Sequence, residues 1–299
     1  MQTKKIWMNG HLVDPKLATI SVLTHTLHYG SGVFEGIRYY MTNKGRAIFR
    51  LPEHVDRLFY SAEAIGLKIP YSKDEITDAI IETVIANEFD EGYIRPLVYF
   101  DEETLGVNPS QNNTHVAIAT WPWSKYLGDT PLRLTVPDII RIHPRSTVTD
   151  AKICGHYVNS ILANTSAKEA GFDDALLLDY KGHIAEGPVA NLFILKGDVL
   201  LTPKSGSILP GITRDTMMVL AKELKYEVHQ LDLTLDDFQD ASEAFVVGTA
   251  SEVVGIASVD ELLLGTSHDV KDKLQQAYSD CVHGKAHTEW LTYVSNVPK

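Results

Sequence analysis

The chain has 299 residues, a formal net charge of -12 and two cysteines, with 44% hydrophobic and 22% charged residues. That apolar share excludes a disordered chain, and a chain this long buries roughly 75% of its unfolded surface without a disulfide or metal staple. No apolar run approaches the ~18 residues that cross a bilayer, and the acidic balance argues against nucleic acid or an anionic membrane as partner.

The first elements read as a hairpin. Ile6-Trp7-Met8 and His11-Leu12-Val13 flank Asn9-Gly10, a pair suited to a type I′ turn. The apolar stretch after Lys4-Lys5 stops at that turn, too short for the core of a signal peptide. A cytoplasmic chain is therefore expected, with Cys154 and Cys281 as thiols. A strand-like run covers Val33 to Tyr40, turns at Asn43-Lys44-Gly45 and returns through Ala47-Ile48-Phe49.

Pro52 suits a first helical position, Val55, Leu58, Phe59, Ala62 and Ile65 recur at helical spacing, and Gly66 suits the stop. Ser72 and Glu75 form a capping-box pattern ahead of Ile76, Ile80, Ile81 and Val84. Strands are expected at Tyr93 to Phe100, Val116 to Trp121 and Leu132 to Val136, and Pro96 inside the first favours a sheet edge. Pro122, Gly128, Pro131 and Pro137 punctuate the next stretch. Residues 123–137 are accordingly read as a connection between an N-terminal domain, 1–122, and a C-terminal domain, 138–299.

The second half predicts a helix from about His156 to Ala170 and strands at Ala175 to Asp179, His183 to Glu186, Asn191 to Leu195 and Val199 to Thr202. A helix after Pro210-Gly211 runs to about Lys225. Strands follow near Glu227 to Leu231 and Ala244 to Val247, with a last helix from about Asp269. The irregular alternation favours α+β over a doubly wound sheet.

Several motifs fail. Gly30-Ser31-Gly32 through Gly36 has its third glycine one position too late for a dinucleotide loop, and a strand-like run follows instead of a helix. His25/His28 and Cys154/His156 lack the further partners of a zinc site, so no metal is expected.

Three others combine. Lys152 stands before a helix, and a desolvated lysine amine attacks carbonyls. Glu186 ends a strand at a Gly-Pro turn, where a carboxylate could hold a protonated ring nitrogen. At about 4 Å and an effective dielectric near 20 such a pair gains roughly 4 kcal/mol before desolvation. Leu209-Pro210-Gly211-Ile212-Thr213-Arg214 opens a helix whose free N–H groups suit a phosphate. A lysine, a carboxylate and a phosphate-binding helix start are the parts that hold pyridoxal 5′-phosphate.

The ordered motifs Tyr29 to Arg38, Tyr93-Ile94-Arg95-Pro96, Gly106-Val107-Asn108-Pro109, Lys152 to Tyr157, Glu186 to Phe193, Leu209 to Arg214 and Gly248-Thr249-Ala250 cover nearly the whole chain. On them the chain resembles the branched-chain amino-acid aminotransferases of the class IV, fold type IV, pyridoxal-phosphate enzymes. The resemblance implies an α+β fold with a small N-terminal α/β domain and a larger C-terminal pseudo-barrel domain. It implies that Lys152 bonds the cofactor and moves the substrate proton, that Tyr157 meets the ring oxygen, and that Glu186 meets the ring nitrogen. Leu209 would pack on the ring, and Arg57, Ile212, Thr213 and Thr249 would take the phosphate. On the substrate side, Tyr93, Thr249 and Ala250 would meet the α-carboxylate. Arg95, Tyr29 and Tyr126 would take the distal carboxylate of glutamate, and Phe34, Gly36 and Tyr29 would wall the apolar pocket. Arg38 belongs to the same pattern.

The implied substrates are leucine, isoleucine or valine with 2-oxoglutarate. The implied assembly is a homodimer or trimer of dimers, closed by the partner's loop at Leu105-Gly106-Val107. Val189-Ala190 stands where many relatives carry Gly-Glu. A D-amino-acid or (R)-amine aminotransferase, and an aminodeoxychorismate lyase on the same fold, stay open, as does a non-catalytic cofactor-binding protein.

Overall fold

The computed structural model describes residues 2–123, 127–128, 130–265 and 267–294. It divides into two units of about equal length. The first takes residues 1–124, 151–155 and 280–299, and the second takes 125–150 and 156–279. One cut near residue 130 does not describe this division. A five-residue segment around Lys152 and the C-terminal tail return to the first unit, which makes the two units nearly equal in length.

The first unit is built on an antiparallel sheet. Its elements are β1 (Ile6–Met8), β2 (His11–Val13), α1 (His25–Tyr29), β3 (Val33–Phe34), β4 (Ile37–Thr42), β5 (Gly45–Phe49), α2 (Leu51–Ala64), α3 (Lys73–Asn87), β6 (Gly92–Phe100) and β7 (Thr114–Trp121). The C-terminal strand Leu291–Tyr293 pairs with β5, and the order continues β4-β6-β7-β1-β2, with β3 also on β6. Apolar residues from sheet and helices, among them Ile37, Tyr39, Ile48, Leu58, Ile76, Ile80 and Ile94, close one core. Ala151 and Ile153 are buried in it, which fixes the Lys152 segment from both sides.

Two expectations change here. The run Val33 to Tyr40 is not one strand, because it breaks at Glu35-Gly36 between β3 and β4. Pro96 is not at an edge, because β6 pairs with β7 along its length and with β3 and β4 on the other side. The two facts explain each other. The carbonyl of Pro96 accepts from Glu35 N–H at 3.0 Å. The nitrogen of Pro96 faces the same side, where the partner strand is interrupted and asks for no donor.

The second unit carries a mixed sheet. Its elements are β8 (Leu132–Thr135), α4 (Tyr157–Glu169, after a 3₁₀ turn Cys154–His156), β9 (Asp174–Ala175), β10 (Asn191–Lys196), β11 (Val199–Pro203), α5 (Ile212–Glu223), β12 (Glu227–Leu231), β13 (Glu243–Gly248), β14 (Glu252–Val259), β15 (Leu262–Leu263) and α6 (Asp269–Val282). The order is β12-β11-β10-β13-β14-β8-β9, with β15 on β14. Leu192, Ile194, Val246, Val254, Ile256 and Phe238 lie in its main core. The expected strand His183 to Glu186 makes one isolated bridge, Ile184 to Leu178, and otherwise runs as a loop ending in Glu186.

The capping box forms as the sequence predicts. Ser72 Oγ accepts from Glu75 N–H at 3.2 Å, and Glu75 Oε2 accepts from Ser72 N–H at 2.7 Å. A Ser72→Ala variant is expected to lose about 1 kcal/mol. Urea unfolding followed by circular dichroism reads this directly, and an unmoved midpoint would mean that packing alone holds α3.

Candidate active site

The first unit gathers most of the predicted substrate-side residues with Lys152. The reason is local. Phe34, Glu35 and Gly36 form the break between β3 and β4, and each backbone is tied elsewhere. Phe34 N–H donates to the Lys152 carbonyl at 3.2 Å, and Lys152 N–H donates to Ser61 Oγ at 2.9 Å. The Lys152 Nζ then stands 5.0 Å from the centre of the Phe34 ring. On the same ring lies the Arg95 guanidinium, 4.6 Å from its centre, with one Arg95 nitrogen donating to Tyr93 Oη at 3.1 Å. Arg95 Nε is buried and has no hydrogen-bond partner among the described residues.

Gly36 is required by space. A Cβ there would sit 1.8 Å from Tyr93 Oη. Tyr93 is buried against Trp121 and Trp123, ring centres 5.4 and 4.7 Å away. Arg38, 5% exposed, donates to the Trp123 carbonyl at 3.4 Å and stacks on Tyr40. Tyr29 is half exposed and donates to the Leu105 carbonyl at 2.8 Å. His25 fixes the same loop, its Nε2 lying 2.9 Å from the Gly106 carbonyl oxygen. Tyr126 lies outside the described residues.

A buried ionic cluster underlies Arg57. Glu35 is fully buried, and its carboxylate accepts Arg57 Nε at 2.6 Å, a second Arg57 nitrogen at 2.9 Å and His54 Nδ1 at 2.7 Å. Burial alone would raise the Glu35 pKa, but Arg57 and His54 more than offset it and hold the carboxyl far below its usual range. Burial moves His54 downward, against the pull of Glu35. Cys154, two residues from the lysine, is pushed up to about 11 by burial, with Arg95 and Lys152 opposing. Its thiol therefore stays protonated near neutrality.

The second unit holds the other predicted set. Glu186 is buried, and its carboxylate accepts Arg141 Nε at 2.7 Å, Asn191 Nδ2 at 3.0 Å and Leu209 N–H at 3.2 Å to each oxygen. Asn191 also donates to the Leu209 carbonyl at 3.1 Å, and a Cβ at Gly211 would come within 1.9 Å of Asn191 Oδ1. The Pro210-Gly211 turn is thus clamped to Glu186. Ile212 and Thr213 open α5, which has no side-chain cap. Arg214, in the same motif, turns inward to Thr202, Pro203 and Gln230 instead. Thr249 and Ala250 lie in the turn between β13 and β14, and Tyr157 opens α4.

Sequence reasoning gave no role to Glu35, His54, Ser61 or Arg141. Spacing held a signal for part of this: 54, 57 and 61 share one face of α2. Arg141 lies 45 residues from Glu186 and gave none.

Each unit by itself holds groups of the kind that fit pyridoxal 5′-phosphate: the first an amine and a fixed guanidinium, the second a buried, anchored carboxylate and a helix start without a side-chain cap.

The sequence matches the family described as amino-transferase class IV over residues 32–259. The chain belongs to this aminotransferase family. It is 44% identical over 297 residues to the branched-chain-amino-acid aminotransferase of Pseudomonas aeruginosa, covering 97% of both chains. Among solved structures it is similar to the T.th. branched-chain amino acid aminotransferase complexed with N-(5′-phosphopyridoxyl)-L-glutamate, with a TM-score of 0.96 and 41% identity over 99% of this chain and 100% of that one. The branched-chain aminotransferase of Thermoproteus uzoniensis with norvaline gives 0.95 and 38%, over 98% and 100%.

Two predictions follow from the ionic groups. Glu35 is depressed in the folded state, so its stabilisation is full above the ordinary glutamate value near ~4.3 and is lost as pH falls below it. Melting temperature should therefore fall less steeply with acid, below about pH 4.5, in Glu35→Gln than in the parent. An Arg141→Met variant leaves Glu186 buried without its cation and should cost about 3 kcal/mol, read as a lower melting temperature at neutral pH.

Proposed function

We propose that the protein transfers the amino group of leucine, isoleucine or valine to 2-oxoglutarate, giving branched-chain 2-oxo acids and L-glutamate. The observation that carries this reading is the likeness to branched-chain aminotransferases over essentially the whole chain, together with Arg95 lying across the apolar face of Phe34. An aromatic wall suits a branched side chain. A guanidinium with an unpartnered Nε suits the extra carboxylate of glutamate.

Lys152, Tyr157 and Glu186 are the residues that would hold the cofactor's reactive end, its ring oxygen and its ring nitrogen. Arg57, Ile212, Thr213 and Thr249 would hold its phosphate, and Leu209 would pack on the ring. When bound, pyridoxal 5′-phosphate supplies a carbonyl for the amine and an electron-accepting ring. Lys152 Nζ carries the proton that leaves the substrate Cα, and the backbone ties at Phe34 and Ser61 keep that nitrogen in place. Arg141 holds the Glu186 carboxylate in place, and a carboxylate there would favour a protonated ring nitrogen. Tyr93, Thr249 and Ala250 orient the α-carboxylate. Phe34, Gly36 and Tyr29 wall the side-chain pocket, Arg38 belongs to the same pattern, and Arg95 with Tyr29 and Tyr126 takes the distal carboxylate of glutamate.

The protein is read as a cytoplasmic homo-oligomer, dimer or trimer of dimers, without nucleic-acid or membrane partners. Exposed Leu17, Val22, Leu27 and Tyr29 support the oligomer, as does Val107, which is 81% exposed. No helix among the described residues is long and apolar enough to cross a membrane.

The visible absorption of the purified protein tests the activity. L-Leucine should bleach the cofactor band, and 2-oxoglutarate should restore it. A band that responds to D-alanine and ignores L-leucine would overturn the branched-chain reading in favour of a D-amino-acid enzyme.

A further inference from the structure

The carboxylate of Glu35 has no role in the reading above, yet it is among the most completely enclosed charges of the first unit. Four N–H groups converge on it: two from Arg57, one from His54 and the backbone N–H of Gly36 at 3.2 Å. Both oxygens face Arg57 in a two-pronged pair, a geometry that fixes direction as well as distance. The guanidinium has only 10% of its side chain exposed, so without a counter-charge it would leave for water.

The same residues close a ring. Glu35 grips Arg57 on α2. One turn further along, Ser61 holds the Lys152 backbone, and the Lys152 carbonyl holds Phe34, the neighbour of Glu35. Arg57 and Lys152 are thereby fixed against each other through three links, each made by backbone or by charges away from the substrate pocket.

From this geometry we infer that Glu35 is a positioning residue for the cofactor phosphate: it holds the Arg57 guanidinium in the orientation that receives the phosphate and in register with the lysine. This rests on the reading of Arg57 as a phosphate ligand. Two effects of removing the Glu35 charge oppose each other. An unbalanced Arg57 would attract a dianion more strongly, whereas an unfixed Arg57 would lose its aim. The ring of contacts and the low exposure decide for the second. His54 reinforces the arrangement by donating from the other side, which leaves Glu35 no freedom to follow Arg57 if it swings.

The test compares two ligands that differ only in the phosphate. Full-length parent, Glu35→Gln, Arg57→Met and the double variant are each titrated with pyridoxal 5′-phosphate and with pyridoxal. In Glu35→Gln the dissociation constant for pyridoxal 5′-phosphate should rise about tenfold or more, the worth of one charge-assisted contact, while that for pyridoxal stays within about twofold. The double variant should bind no worse than Arg57→Met, because Glu35 acts through Arg57.

An equal loss for both ligands, an additive loss in the double variant, or unchanged or tighter binding of pyridoxal 5′-phosphate would overturn the inference. Arg57→Met binding pyridoxal 5′-phosphate as well as the parent would overturn the phosphate reading of Arg57 itself, and the inference with it. Should Glu35→Gln not fold, Glu35→Asp is judged by the same criteria, since it keeps the charge but is one methylene short of the two-pronged pair.

Discussion

The first unit depends on one negative charge kept out of water. Glu35 sits at the break between β3 and β4 with no exposed surface. A carboxylate there is tolerable only because Arg57 and His54 bring their N–H groups to it from α2. That requirement fixes how α2 lies on the sheet. It also explains why the strand breaks where it does, why β6 tolerates a proline opposite the break, and why the lysine segment, anchored to the same helix, comes to rest beside Phe34.

The second unit solves the inverse problem with the same chemistry. There the anion is Glu186, the proposed partner of the cofactor's ring nitrogen, and the cation is its support. Arg141 and Asn191 hold Glu186, and the Leu209 N–H ties it to the turn that opens α5. In both units a carboxylate kept from water is held by an arginine. The alternative is a lone charged side chain, which neutralises or reaches for solvent. The aromatic residues add direction without charge. Phe34 carries a cation on its face, and Tyr93 fills the space that Gly36 leaves.

Much of this was legible in the sequence, and the pattern of what was not is instructive. Helices α2, α3 and α5 follow from apolar spacing, a capping box and a Pro-Gly start. The short strands β8 and β10 to β13 follow from apolar runs between turn residues. The motifs around Lys152, Glu186 and Leu209 pointed to the pyridoxal-phosphate aminotransferase family to which the chain belongs. Strand β14 escaped because Gly255 and the small residues after it blur its alternation, and α1 is a single turn too short to carry a period. The supports escaped for a different reason. Arg141 and Glu35 act on partners 45 and 22 residues away, and a lone charged residue in a sequence carries no mark of being buried. Only the fold turns such a residue from an ordinary surface charge into a determinant of geometry.

The return of the chain's last residues to the first unit has a consequence for how the molecule is made. Strand β5 is flanked on one side by β4 and on the other by Leu291–Tyr293. During synthesis β5 emerges roughly 240 residues before its second neighbour, and at about 5–20 residues per second it presents an unpaired edge for tens of seconds. The N-terminal unit therefore cannot complete its sheet until the strand Leu291–Tyr293 has left the ribosome. A chain cut short near its end would keep its lysine, its carboxylates and its arginines and still carry an open, aggregation-prone strand edge.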